Sequence, residues 1–97
     1  MQLVKVETIL EERKSRYGDF RDQAHFARGF KDLAHDSPGW DSMTDYQREG
    51  LDMILHKIAR ALSGDPAYLD TWVDIEGYAK LVVDRMRQDT TRRDMDT

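Results

Sequence analysis

The chain contains no cysteine, which excludes a disulfide framework, thiolate metal sites and a cysteine nucleophile. Only two prolines occur, Pro38 and Pro66. No apolar run approaches the roughly 18–20 residues of a membrane span, and Met1-Gln2-Leu3-Val4-Lys5 lacks the apolar stretch of a secretory signal. Basic excess is absent as well. Fifteen Lys and Arg stand against nineteen Asp and Glu, a formal charge of −4. Phosphate contacts carry most non-specific nucleic-acid affinity, so no direct DNA or RNA binding is expected. No glycine-rich phosphate loop is present, because Gly18, Gly29 and Gly39 are isolated. His25, His35 and His56 lack zinc spacing. What remains is a single small intracellular domain of 97 residues. Such a chain buries only about 60–65% of its unfolded surface, so a second subunit would help it.

The two prolines sit in turn-like stretches, His35–Gly39 and Ser63–Pro66, and divide the chain into three blocks of helical periodicity. The expected architecture is all-α: a compact four-helix domain over residues 1–86, assembled as a homo-oligomer. A flexible charged tail over 87–97 follows, with Met95 its one apolar residue. The first helix spans about 4–16, with Val6, Ile9 and Leu10 on its apolar side, and Gly18 breaks it. Asp19 caps a second helix reaching about His35. Its apolar side holds Phe20, Ala24, Ala27, Phe30 and Ala34, widened by Phe26 and Leu33. The third helix spans about 45–62. Thr44 and Gln47 fit a capping box, and Leu51, Ile54, Leu55, Ile58 and Leu62 form a core stripe. Gly64 follows as a C-terminal cap, and Pro66 prevents continuation. The fourth helix starts near Tyr68 or Asp70 and ends at Arg87. Trp72, Ile75, Ala79, Val82, Val83 and Met86 share one of its faces.

Gly29, Gly50 and Gly77 fall inside these helices, each at a cost of about 1 kcal/mol relative to Ala. Close helix–helix approach is the ordinary return for that cost. Backbone approach to a ligand is the other.

Several constellations could carry chemistry. Glu49, Asp52, His56 and Arg60 fall within about 80° of one another on the third helix. Glu49 and Asp52 could hold Mg²⁺, and Arg60 could fork onto a phosphate. The plain alternative is a solvated helix face. Asp70 and Asp74 stand one turn apart on the fourth helix, with Tyr78 a turn beyond. They are either capping carboxylates or a second metal pair facing the first across a helix hairpin. Arg13, Lys14 and Arg16 precede Tyr17-Gly18-Asp19, and His56-Lys57-Ile58-Ala59-Arg60 forms a second basic cluster. Local basic clusters on an acidic chain suit a small anionic ligand, or else simple i, i+4 pairs such as Glu12–Arg16 and Asp52–His56. Trp40, Tyr46, Tyr68, Trp72 and Tyr78 are candidate stacking surfaces or ordinary packing.

Leu10-Glu11-Glu12-Arg13 through Arg16-Tyr17-Gly18-Asp19, and then Met53–Arg60, Gly64-Asp65-Pro66 and Asp70–Ala79, resemble a group of small phage and prophage proteins. That group is similar to the phage nucleotide-modification-associated helical domain. The resemblance covers roughly residues 9–82. It implies a phage origin, the cytoplasm of an infected bacterial host, an all-helical fold and a nucleotide-related role. A looser similarity links the chain to all-α nucleotide pyrophosphatases of the MazG type, which pair Glu-x-x-Glu on one helix with Glu-x-x-Asp on the next. Glu49-Gly50-Leu51-Asp52 fits the second form, whereas Asp70 and Asp74 depart in spacing and order.

The preferred expectation is therefore a protein that binds and sequesters a nucleotide-derived small molecule, such as a host antiviral signal, without catalysis or a cofactor. Its ligand-contacting candidates are Arg16, Tyr17, Asp19, His56, Lys57, Arg60, Trp72, Asp74 and Tyr78. A metal-dependent pyrophosphatase would instead use Glu49, Asp52, Asp70 and Asp74 with Mg²⁺. A third class is an inhibitor that docks on a host protein through its acidic faces.

Overall fold

The computed structural model describes residues 5–96, for Asp96 the backbone alone, and every regular element among them is helical. The order is α1 (Val6–Tyr17), α2 (Phe20–His35), α3 (Pro38–Asp41), α4 (Asp45–Ser63) and α5 (Leu69–Asp96). The all-α expectation holds, with one helix more than the four expected. The addition is α3, a single turn that starts at Pro38, where a residue with fixed φ and no N–H suits a first helical position.

Local chemistry explains the boundaries. The Asp19 carboxylate accepts the Arg21 N–H and caps α2. Thr44 accepts the Gln47 N–H while the Gln47 side chain accepts the Thr44 N–H, a complete capping box at α4. The helix expected to end near Arg87 runs on to Asp96. Nothing in that stretch breaks it. It holds no Gly or Pro, and Arg85 and Asp89 pair one turn apart. The Tyr46 hydroxyl donates to Asp89 and ties this part of α5 to α4.

The helix α4 is the centre of the fold. It packs against α2 on one side and α5 on the other, α1 crosses near its end, and α2 and α5 do not pack on each other. The contacts run through small residues. Ala27, Ala59 and Ala61 are buried, Gly50 lies against Val82 of α5, and among the described residues no large side chain is fully buried. The stripe Leu51, Ile54, Leu55 and Ile58 is only half-buried, and Leu62 is exposed. Val6, Ile9 and Leu10 of α1 and Phe20 of α2, expected on core-facing sides, are exposed too. Of the three intrahelical glycines, Gly50 mediates close approach, whereas Gly29 and Gly77 face open space.

The sharpest steric constraint lies where α1 and α4 end. Gly18 adopts φ +80°, and a Cβ there would collide with the Ser63 carbonyl. Gly64 has φ −128°, so handedness does not demand glycine there. Space does, because a Cβ would run into the Arg16–Tyr17 backbone. The Asp65 N–H donates to the Arg16 carbonyl at 2.8 Å, and the Ser63 hydroxyl donates to the Tyr17 carbonyl. Gly64→Ala is therefore expected to destabilise by about 2–3 kcal/mol or more, at or above the upper end of what single substitutions ordinarily cost. Gly77→Ala, on an open helix surface, is expected to stabilise by about 0.5–1 kcal/mol. Urea melts of the two variants check both signs.

Candidate functional site

The crossing of α1 over α4 leaves a partly enclosed cleft of about 460 Å³ between α1, α2 and α4. That volume lies in the range of small-molecule sites. Helix α1 contributes Leu10, Arg13, Lys14 and Tyr17, spaced i, i+3, i+4 and i+7 and so on one face. The turn and α2 supply Gly18, Asp19, Phe20 and Gln23, and α4 supplies His56 and Arg60.

Three cations meet here. Among the described residues no carboxylate forms an ion pair with Arg13, Lys14 or Arg60. Asp19 is the one acidic lining residue, and its carboxylate is engaged by the Arg21 N–H. The Arg60 guanidinium lies 4.3 Å over the Tyr17 ring, a cation–π contact that fixes its plane. Its Nε is buried and, among the described residues, is the one buried side-chain nitrogen or oxygen without a hydrogen-bond partner. Tyr17 in turn meets Tyr68 edge-on at 6.1 Å, and Arg16 lies 5.1 Å over Tyr68. His56 Nε2 lies 3.4 Å from Gln23 Nε2. Burial lowers the His56 pKa below the usual histidine value, and Arg60, Lys31 and Lys57 lower it further. Its imidazole is therefore neutral at pH 7.

The structure thus brings together Tyr17, Asp19, His56 and Arg60 from the expected ligand-contacting set. Arg16 stands behind them against Tyr68. The other four lie elsewhere. Lys57 pairs with Asp74 of α5 at 3.0 Å, on the α5 side of α4 rather than in the cleft. The Trp72 indole N–H donates to the Pro66 carbonyl. Tyr78 lines a separate hollow with Tyr46, Glu49 and Val82. The aromatic residues form no common stacking surface, since Trp40 stacks on His35 at 4.0 Å and lies under Arg48.

The four metal candidates also separate. Asp52 meets His35 Nε2 at 2.8 Å, Asp70 accepts the Tyr68 hydroxyl, Asp74 holds Lys57, and Glu49 is exposed in the α4–α5 hollow. Among the described residues no group of three His, Asp or Glu could hold a metal ion. The expected Asp52–His56 pair is replaced by Asp52–His35, because His56 turns toward Gln23.

Sequence reasoning passed over Leu10, Phe20 and Gln23, and did not join Arg13 and Lys14 to Arg60. The i, i+3, i+4, i+7 spacing of the α1 quartet was the available signal. Gln23 carried none, since only tertiary packing buries it.

A histidine whose folded pKa is lowered binds its proton more readily in the unfolded chain. Stability is then full above the unfolded value near 6.5 and falls as pH drops through it toward the folded value. His56→Gln should flatten the loss of stability between pH 7 and 5.5 relative to wild type. Thermal melts across that window check it.

No protein-family model, no curated protein and no solved structure matches the chain, so the likeness to the phage domain and to MazG-type enzymes rests on its motifs alone.

Proposed function

We propose that the cleft between α1, α2 and α4 binds and holds a small phosphorylated, nucleotide-derived molecule without converting it. The observation that carries this reading is Arg60: a guanidinium oriented by Tyr17, bordering the cleft, with a buried Nε that no described residue satisfies. A buried unpaired donor is costly, and a phosphate oxygen accepts from a guanidinium fork in the geometry such a group offers. Arg13 and Lys14 add charge on the opposite wall, which makes the cleft locally cationic on a chain of net charge −4. Phe20 at the edge supplies an exposed ring for a base to stack on. Neutral His56 and Gln23 offer hydrogen-bonding edges rather than further charge.

Holding is favoured over hydrolysis because the four acidic candidates are dispersed, and three of them are engaged by His35, Tyr68 and Lys57. The biological form of this reading, following the phage resemblance, is sequestration of a nucleotide signal inside an infected bacterium.

The test is incubation with a panel of nucleoside mono- and triphosphates and cyclic dinucleotides, then heat release and chromatography. Intact recovery is the expected outcome; conversion that chelator abolishes would replace this reading by the pyrophosphatase. For whichever nucleotide binds, Arg60→Ala should weaken affinity by about 1.5–3 kcal/mol, the range for hydrogen bonds to charged groups. Lys57→Ala and Glu49→Gln, whose side chains lie outside the cleft, should change it by less than about 0.5 kcal/mol. Calorimetry on the three variants is the measurement, and unchanged affinity in Arg60→Ala overturns the site.

A further inference from the structure

On α4, the 100° spacing places His56 and Arg60 on one side and Leu51, Ile58 and Leu62 on the opposite side. The cleft occupies the first side. The second is the floor of an open groove, because α2 and α5 flank α4 without packing on each other. The walls of this groove are apolar as well. Helix α2 presents Leu33, 75% exposed, and α5 presents Trp72, 49% exposed. Leu62 on the floor is 58% exposed. Helices bury an apolar stripe against another layer, and here one layer is missing.

The dimensions agree. A compact chain of this length has a radius of gyration near 12–13 Å, whereas this one measures 17.1 Å. A folded monomer of this mass exposes about 5,800 Å², whereas this chain exposes 7650 Å². The surplus of about 1,900 Å² is shared with the unburied α1 and the exposed far end of α5, and it is more than twice the roughly 800 Å² that each partner contributes to a stable interface.

We infer that the open groove of α2, α4 and α5 is closed by the same groove of a second copy of this chain. The breadth of the face argues for a copy rather than a peptide, since its exposed apolar residues Leu33, Leu62 and Trp72 come from three helices, two of them packed on the third. The floor is also free of charge, so two identical surfaces can meet there without like-charge contact. A two-fold axis makes such a surface its own partner. The cleft lies on the far side of α4 and stays open in the pair, so this inference is independent of the ligand reading.

Sedimentation equilibrium of the full chain from micromolar to several hundred micromolar should give twice the 11.4 kDa monomer mass. The melting temperature should rise with protein concentration, as mass action requires of a dimer. Leu33→Glu and Leu62→Glu replace side chains that are already exposed in the single chain, so its helix content by circular dichroism should persist. Each should raise the dimer dissociation constant by about thirtyfold or more, the loss expected for a central interface residue. Leu81→Glu, equally exposed but on the opposite side of α5, should leave the dissociation constant unchanged. An ideal monomer with a concentration-independent melting temperature overturns the inference. So does an assembly that withstands Leu33→Glu and Leu62→Glu, whatever Leu81→Glu does to it. If both groove variants lose their helix content, the wild-type mass and the concentration dependence of its melting decide the matter.

Discussion

Close approach to α4 through small side chains is the constraint on which the rest of this fold depends. Gly50, Ala59 and Ala61 let α2 and α5 settle against one helix from two sides. The backbones come near, but few large side chains are covered. Burying a large apolar side chain contributes about 1.5–3 kcal/mol, and among the described residues no large side chain is completely withdrawn from water. The arrangement therefore fixes helix positions well while leaving much of the hydrophobic driving force unused within one chain.

The same economy of side chains governs the cleft. Gly18 and Gly64 allow the end of α1 to cross the end of α4 in backbone contact, held by Asp65 on Arg16 and Ser63 on Tyr17. That crossing sets Tyr17 beneath Arg60. A cation on α4 and an aromatic ring on α1, 43 positions apart in sequence, become one oriented group because two residues lack a Cβ. Arg16, facing away onto Tyr68, extends the same alternation of rings and guanidinium groups into the loop before α5.

The helices were legible because their signals are local. The Thr44–Gln47 box, the Asp19 cap and the 3.6-residue periodicity each act within a turn or two. The full reach of α5 is not legible in its charged last turns, which read as a flexible tail, although Arg and Gln are good helix formers. Half the cleft was legible: Tyr17, Asp19, His56 and Arg60 stand in two clusters of suitable chemistry, and the structure joins them. Lys57, Trp72, Asp74 and Tyr78 carry the same kind of signal and lie elsewhere: a one-residue step along α4 turns Lys57 by 100° away from His56, and the other three stand on α5, which does not line the cleft. The separation of Asp52 from Asp74 was not legible, since it depends on which neighbour each side of α4 faces. Gly29 and Gly77 show the limit of residue type as evidence, for one glycine of three met a helix and two met open space.

Helix α1 buries none of its residues, yet it forms an entire wall of the cleft. Local opening in proteins begins where burial is least, and of the three helices that line the cleft α1 is the one held least by its own packing. Any molecule inside the cleft that bridges Arg13 to Arg60 joins the loosest helix to the most central one. Residence time would then be governed by how often α1 lifts, and the bound molecule would itself act as the clasp that keeps its container shut.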